Sequence, residues 1–248
     1  MPSDLFALCY DAEDPVGLAS FWSGLLGWQP TAAHDGSVAL VPGDDTGFRL
    51  RFVASQAKKV GPNRIHLDLT SASLEDQRET VARALALGGR HIDIGQRPEE
   101  GQVVLADPEG NELCVIEPGN AFLADCGVVG AINCEGSQEV GYFWSAALGW
   151  PLVWDQDQET AIQSPRGGTK IAWGGPPVAP KAGKGRLHFD LVVRAHGTHQ
   201  AEIERLLSLG ATRAGLRQGE VGRVVLADPD ANEFCVWTTP VPVSERGR

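Results

Sequence analysis

The segment Val103-Val-Leu-Ala-Asp-Pro-Glu-Gly-Asn-Glu-Leu-Cys-Val115 decides the architecture, because it returns near the end of the chain as Val224-Val-Leu-Ala-Asp-Pro-Asp-Ala-Asn-Glu-Phe-Cys-Val236. Ten of the 13 positions are identical, at a spacing of 121 residues. Internal repeats are searched for before elements are assigned, since a missed repeat leads to the wrong fold. A match of this length indicates that the chain contains a duplicated unit.

Two further segments repeat in the same order. Phe21-Trp-Ser-Gly-Leu-Leu-Gly-Trp28 returns as Phe143-Trp-Ser-Ala-Ala-Leu-Gly-Trp150, and Arg64-Ile-His-Leu-Asp-Leu69 returns as Arg186-Leu-His-Phe-Asp-Leu191, both 122 residues later. A chain of 248 residues is long enough for two ordinary domains. The repeat predicts a first domain over residues 1–118, a linker over 119–125, a second domain over 126–242 and a tail over 243–248.

The composition limits the classes of function. A net charge of −11 disfavours nucleic acid as a partner, because duplex binding depends on Lys and Arg side chains that neutralise phosphates. No apolar run is long enough for a membrane span, and the N-terminus lacks a basic leader, so we expect a cytoplasmic protein without a membrane partner. Five cysteines without a CxxC pair favour neither a disulfide framework nor a zinc knuckle.

The order of elements follows from caps and periodicity. Asp14 and Pro15 predict the start of a helix that ends at Gly27, and Ser73 predicts the start of a second helix. Strands are predicted over 5–10, 37–41, 48–53, 65–70, 102–106 and 112–116. Each half therefore reads as a strand, a helix and three strands, used twice. In the last turn of the second half Ala231 replaces a glycine, and we expect Asn232 to adopt the unusual dihedral angles there.

These motifs together resemble the vicinal oxygen chelate superfamily, which includes glyoxalase-like, bleomycin-resistance-like and extradiol dioxygenase members. The resemblance rests on the "Phe-Trp-x-x-x-Leu-Gly-Trp" helix end, the "His-x-Asp-Leu" strand and the "Ala-Asp-Pro-x-x-Asn-Glu" turn, each present twice. It implies an α+β fold of two tandem glyoxalase-like domains. Each domain is expected to be a pair of βαβββ modules with a curled sheet enclosing a cavity.

The resemblance also implies where a metal would be held, with ligands from the first, fifth and eighth strands. The fifth-strand position matches His66 and His188, whereas counting back from the helices places Ala7 and Val129 at the first strand. The eighth-strand carboxylate is replaced by Cys114 and Cys235. The chain is therefore expected to favour no cofactor, with a divalent metal as the alternative; a zinc site would need a wider register slip, to Asp4, Cys9 or Asp11.

Period-two alternation sorts the remaining candidates onto the cavity face. Arg49 and Arg51 form a potential anion seat, with solvated surface arginines as the alternative interpretation, and Trp237 could stack on a flat ligand. The predicted catalytic residues are His66 and His188. The predicted ligand-binding residues are Arg49, Arg51, Asp68, Glu112, Cys114, Lys170, Asp190, Glu233, Cys235 and Trp237.

Three functions remain open at this point. The first is a small-molecule-binding protein with a degenerate metal site, which binds or sequesters a natural-product-like or anionic ligand. The second is a lyase or isomerase of this superfamily, or a metal-free catalyst that uses the fifth-strand histidine as a general base. The third is a structural protein. The expected partner is a small molecule, and the chain is expected to be a two-domain monomer or a homodimer.

Overall fold

The structure is a computed structural model, and it describes residues 3–33, 35–44, 46–97, 99–179, 181, 183–193, 198–214 and 222–237. The predicted tail over 243–248 lies outside the described residues. The α+β class is confirmed. Within the described part of the chain, none of the helices has the length and apolar character needed to cross a membrane.

Four βαβββ modules follow one another along the chain. The first half contains β1 (Asp4–Ala12), α1 (Pro15–Leu26), β2 (Gln29–Ala32), β3 (Val38–Val41), β4 (Arg49–Ala54), β5 (Ile65–Leu69), α2 (Leu74–Ala86), β6 (Arg90–His91), β7 (Val103–Ala106) and β8 (Glu112–Val115). The second half contains β9 (Val129–Cys134), α3 (Gln138–Leu148), β10 (Leu152–Gln156), β11 (Glu159–Gln163), β12 (Lys170–Trp173), β13 (Leu187–Val192), α4 (His199–Ser208), β14 (Thr212–Arg213), β15 (Arg223–Ala227) and β16 (Glu233–Trp237).

The helix boundaries follow the predicted caps. The Asp14 side chain accepts a hydrogen bond from the Gly17 amide, and Gly27 ends α1 in the left-handed conformation. The Ser73 side chain accepts from the Asp76 amide at the start of α2. These contacts satisfy helix-end donors that have no partner inside the helix, so the predicted starts of both helices are confirmed.

The two eight-stranded sheets do not coincide with the two halves of the sequence. The first sheet has the order β14-β15-β16-β13-β1-β4-β3-β2, and the second has the order β10-β11-β12-β9-β5-β8-β7-β6. Each sheet thus combines one module from each half, joined by the antiparallel pairs β1–β13 and β5–β9. Any site on one of these sheets is built from both halves. Whether the sheets curl around a cavity stays a prediction.

The repeated motifs contact one another within each half. The indole nitrogen of Trp22 in α1 donates to the Asp107 carboxylate at 3.1 Å, and Trp144 in α3 donates to Asp228 at 3.2 Å. Asp107 is fully buried and also accepts from the backbone and side chain of Asn111. The "Phe-Trp" helix end and the "Ala-Asp-Pro" turn are therefore in contact with each other. This contact holds the two modules of a half together, although their strands belong to different sheets.

One sequence prediction about this turn is wrong. Gly110 adopts a φ of 87° in the first half, and in the second half Ala231 itself adopts a φ of 62°, whereas Asn232 has no positive φ. The turn geometry is fixed by the hydrogen bond from residue 231 to the Asp228 carbonyl, at 2.9 Å. The left-handed conformation therefore stays at the same turn position, although a side chain other than glycine costs about 1–2 kcal/mol there.

Both sheets bury one face against the helices. The residues predicted to face the helices, Phe48, Leu50 and Phe52 of the first half, are buried in the core. Leu67 and Leu69 are fully buried in the same core. This agreement with period-two alternation places the polar candidates on the opposite faces of the two sheets, where the candidate sites lie.

Candidate functional site

The strand register defines one transverse row of residues on the polar face of each sheet. In the first sheet the row runs through Thr31, Ala39, Arg51, Cys9 and His188. In the second sheet the equivalent row runs through Trp154, Ala161, Ala172, Asn133 and His66. The two histidines occupy the same place in their rows, but most of their row neighbours differ in chemistry. The duplicated fold thus presents two different sites.

The structure shows which first-strand residues lie opposite the histidines. Cys9 pairs with His188 and Asn133 pairs with His66, whereas Ala7 and Val129 were expected at the first-strand position. The strand-to-helix connections of the two halves differ in length: Cys9 precedes the helix cap Asp14 by five residues, and Asn133 precedes the cap Ser137 by four. In addition, α1 has 12 residues and α3 has 11. Counting back from the ends of the helices therefore brings residues that are not structurally equivalent to the same position in the two halves.

We call Cys9, Arg51, His188, Asp190 and Cys235 the first-sheet cluster. All five side chains are buried, and Asp190 is fully buried. The guanidinium of Arg51 lies 3.3 Å from Asp190 through Nη1, donates to Ser37 Oγ at 3.2 Å through Nε and forms an ion pair with Asp35. The same guanidinium lies 4.9 Å from the centre of the Trp237 ring. Arg51 is thus held by two carboxylates and an aromatic ring.

The charges in the first-sheet cluster shift two pKa values in opposite directions. Burial lowers the pKa of His188, but the neighbouring Cys9, Asp190 and Cys235 outweigh it, so the pKa lies well above the usual value. Burial raises the pKa of Asp190, but His188 and Arg51 outweigh it, so the pKa of this carboxyl is lowered. Nε2 of His188 lies 3.5 Å from Oδ1 of Asp190, an ion-pair distance. The cluster therefore stabilises a charged Asp190.

We call His66, Asp68, Cys114 and Asn133 the second-sheet cluster. Nε2 of His66 lies 3.4 Å from Oδ1 of Asp68, and the Asn133 amide donates to the other oxygen of the same carboxylate. The His66 side chain is 34% exposed, whereas that of His188 is 7% exposed. Burial and the Asp68 charge raise the pKa of the Cys114 thiol, because both oppose a second negative charge there. This cluster combines an accessible imidazole with a buried carboxylate.

Several predicted ligand-binding residues contact other parts of the protein. Lys170 donates to the Phe122 carbonyl and lies 4.8 Å from the Phe122 ring, so it holds the segment predicted as the linker. Glu112 accepts from Lys59 at 2.6 Å, and Glu233 lies 3.9 Å from Lys181 at the corresponding place in the other half. Arg49 packs 4.2 Å from the centre of the Phe6 ring. Any ligand that used these groups would compete with existing contacts.

The predicted linker lies against the second sheet. A short 3-10 turn over Ala121–Leu123 places Leu123 in a small apolar cluster with Val104, Cys114, Ile116 and Ala131. Phe122 packs against the same cluster and meets the Trp154 ring edge-on, with ring centres 6.4 Å apart. An aromatic, partly apolar surface therefore borders the second-sheet cluster, whose polar groups lie on the neighbouring strands.

Sequence reasoning missed two contributors to these sites. Asn133 was missed because an alignment of the two halves by their helices matches Asn133 to Asp11. In the structure its counterpart is Cys9. Asp35 was hidden because it follows β2, a strand whose burial pattern gives no clear signal. A signal for Asn133 was present in the sequence, since aligning the first strands directly, without the helices, brings Asn133 opposite the histidine.

Each cluster contains a group of donor atoms suited to a metal. Cys9, His188 and Asp190 each offer an atom within 4.8 Å of the others, and so do His66, Asp68 and Cys114. Thiol, imidazole and carboxylate donors fit zinc, whereas Mg²⁺ and Ca²⁺ prefer sets made of oxygen alone. The metal implied by the resemblance is thus compatible with the donors, provided that it is a soft or borderline ion.

Paired βαβββ modules with a histidine-centred polar face on each sheet define the class of protein. The chain belongs to the glyoxalase-like domain family, whose model matches residues 7–116 and again residues 130–237. Glyoxalase I from Zea mays has a similar structure, with a TM-score of 0.67 at 12% identity over 95% of this chain and 92% of that chain.

A candidate dioxygenase from Bacillus subtilis subsp. subtilis str. 168 is similar as well, with a TM-score of 0.61 at 15% identity over 97% of this chain and 87% of that chain. At such identities the similarity shows the fold alone. A search of curated proteins found no match to the sequence. The chemistry must therefore be argued from the two clusters.

Proposed function

We propose that this protein binds a small organic molecule on its second sheet, where His66 contacts the ligand. The observation that carries the proposal is the difference in exposure between the two equivalent histidines, 34% for the His66 side chain and 7% for that of His188. A ligand can reach the first without rearrangement of the protein. Of the two equivalent imidazoles, that of the second sheet is thus the more accessible.

The polar end of the proposed site is held in place by buried groups. Asp68 is buried behind His66, and the Asn133 amide donates to it across the sheet. The Oδ1 atom of Asp68 has no hydrogen-bond partner among the described residues, although it lies 3.4 Å from His66 Nε2. A carboxylate behind an imidazole fixes the ring orientation and leaves its other nitrogen for a ligand. The Asn133 carbonyl adds an acceptor.

The other end of the row is aromatic. Trp154 is 39% exposed and is separated from Asn133 in the row by Ala161 and Ala172, which present only methyl groups. Such a surface suits a flat apolar ring. In the first sheet, by contrast, Thr31 occupies the position of Trp154, and Arg51 occupies that of Ala172. The ligand we propose is therefore a small molecule with a flat ring and a carbonyl or hydroxyl group.

An anionic ligand has less support than the sequence suggested. Arg51 already contacts the carboxylates of Asp35 and Asp190, and Lys170 donates to a backbone carbonyl. An added anion would have to displace these partners, and buried charges are costly to leave unpaired. The second-sheet cluster contains one thiol, that of Cys114. The Asn133 amide occupies the position that the Cys9 thiol has in the first sheet.

The proposal predicts that one of two matched substitutions lowers ligand binding and that the other leaves it unchanged. Three proteins are compared: the wild-type full chain and the variants His66→Ala and His188→Ala. Each is dialysed to equilibrium against a small-molecule extract of the cells that produce the protein (the host-cell extract), and enriched compounds are identified by mass spectrometry. We expect one compound to be enriched by the wild type and by His188→Ala, and its enrichment to fall at least about tenfold in His66→Ala, as the loss of one hydrogen bond to a charged or polar group implies.

The control is the circular dichroism spectrum of each variant, which shows that both remain folded. Enrichment that survives in His66→Ala and disappears in His188→Ala would place ligand binding on the first sheet instead. The absence of any enriched compound with the wild type would contradict the proposal as a whole.

A second candidate function is catalysis at the same site, and the His66–Asp68 pair favours it. An imidazole beside a carboxylate is suited to take a proton from a carbon next to a carbonyl group, which is the first step of many isomerase and lyase reactions. The dialysis experiment separates the two functions. Recovery of the compound unchanged supports binding, whereas conversion by the wild type, but not by His66→Ala, supports catalysis.

A further inference from the structure

The short turn Ala121–Leu123, in the segment between the two halves, is fixed on the polar face of the second sheet. Leu123 is buried and packs in an apolar cluster with Ala131, which is the strand partner of Asp68. A Cβ atom at Gly130 would lie 2.9 Å from Cδ1 of Leu123, so a larger residue there would push the turn away from the sheet. The turn is thus part of the wall around the second-sheet cluster.

The turn holds the half-buried ring of Phe122 beside the row of residues that runs from His66 to Trp154. Lys170 donates to the Phe122 carbonyl, and its ammonium group lies 4.8 Å from the centre of the Phe122 ring. Lys170 is two residues from Ala172 on β12, so both side chains lie on the polar face of the sheet, in neighbouring rows. The Phe122 ring is therefore held next to the apolar part of the row.

The rings of Phe122 and Trp154 form a corner. Their centres are 6.4 Å apart, and their planes meet at 82°. A flat ring that stacks on one of them is therefore perpendicular to the other, and aromatic rings favour both the stacked and the edge-to-face arrangement. A saturated ring is puckered and has no π-system, so it makes neither contact. The corner thus distinguishes a flat aromatic ring from a saturated ring of the same size.

We propose that Phe122 contacts the ligand and is a specificity-determining residue of the second-sheet site, which selects an aromatic ring over a saturated one. This role rests on the proposed function, because it concerns the same site. His66 and Asn133 bind the polar group of the ligand, and Phe122 and Trp154 bind its ring. None of the ligand-binding residues predicted from the sequence lies in the linker over 119–125. The linker thereby has a role beyond the connection of the two halves.

The test compares two probes that carry the same hydroxyl group, 2-naphthol with its flat ring system and decahydro-2-naphthol with a saturated one. Their dissociation constants for the full chain are measured by isothermal titration calorimetry. We expect the wild type to prefer 2-naphthol. In Phe122→Leu, which keeps an apolar side chain but removes the ring, we expect this preference to fall about two- to tenfold, because an aromatic contact is lost. The affinity for decahydro-2-naphthol should stay the same.

Tyr142→Leu is the matched control, because it removes an exposed aromatic ring from α3, on the other face of the same sheet. Both this variant and Phe122→Tyr should keep the wild-type preference. An unchanged preference in Phe122→Leu, or an equal loss of affinity for both probes, would overturn the role of Phe122. If His66→Ala still weakens binding in that case, the proposed function stands without it. A wild type that binds neither probe would contradict both.

Discussion

Residues 1–125 expressed alone are expected not to fold as a monomer. In the full chain the central strands β1 and β5 of this half pair with β13 and β9 of the other half. The isolated half would expose both strand edges and lose the apolar contacts that the partner modules provide. Unpaired strand edges are templates for pairing with another chain. The effect is thus the loss of the monomeric fold, not a change of a few kcal/mol.

The repeat also predicts what the isolated half would form instead. In the repeat, β13 corresponds to β5 and β9 corresponds to β1. Two copies of the first half can therefore form both pairs, with β1 of each copy next to β5 of the other. We therefore expect a homodimer in light-scattering measurements, and a heterodimer when residues 1–125 are mixed with residues 126–248. A cooperative, monomeric fragment with the circular dichroism spectrum of a folded protein would contradict the observed pairing of the sheets.

Arg51→Met is expected to lower the free energy of unfolding of the chain by about 3–5 kcal/mol. The substitution removes the guanidinium from Asp190, which is fully buried, and leaves its negative charge without that partner. Breaking a buried ion pair from one side typically costs this much, because the remaining charge cannot be solvated. The measurement is urea unfolding in the presence of a chelator, so that metal binding does not contribute.

Two controls sharpen this test. Arg49→Met changes the same residue type on the same face of β4, where the guanidinium stacks on Phe6, and it should cost about 1 kcal/mol or less. Arg51→Met combined with Asp190→Asn removes the unpaired charge and should recover part of the loss. A cost of Arg51→Met no larger than that of Arg49→Met would show that the buried pair has little effect on stability.

The repeat allowed the module order and the helix boundaries to be predicted, because both depend on local signals. Asp14, Gly27 and Ser73 act within one helical turn, and their effects do not need the rest of the chain. The sorting of Phe48, Leu50 and Phe52 to the core follows from the two-residue period of a strand. The class of fold therefore followed from the sequence.

The pairing of strands across the halves was not predictable in the same way. β1 could pair with β5 of its own half or with its repeat β13, and the sequences of these strands are too similar to favour one partner. The choice depends on how the modules are linked, because Trp22 and Asp107 already hold the two modules of a half side by side through their helix and turn. Each site therefore contains residues of both halves because of the tertiary structure, and local sequence signals do not determine this.

The site residues were predicted where they lie on the repeated strands. His66, Asp68, Cys114 and their counterparts lie on the polar faces as expected, whereas their catalytic and ligand-binding roles stay predictions. The equivalence of Cys9 and Asn133 was not predicted, because the first half has one more residue in the strand-to-helix connection and one more in the helix. Small insertions of this kind change which side chain lies opposite a histidine without a change in the pattern of apolar residues.

Modification of histidines by diethyl pyrocarbonate tests the central claim most directly, namely that His66 is accessible and belongs to the ligand site, whereas His188 is buried. The reagent is applied to the full chain before and after dialysis against the host-cell extract, and modified peptides are quantified by mass spectrometry. We expect His66 to react at least about tenfold faster than His188, and to be protected after dialysis. Equal rates, or protection of His188 alone, would contradict the account.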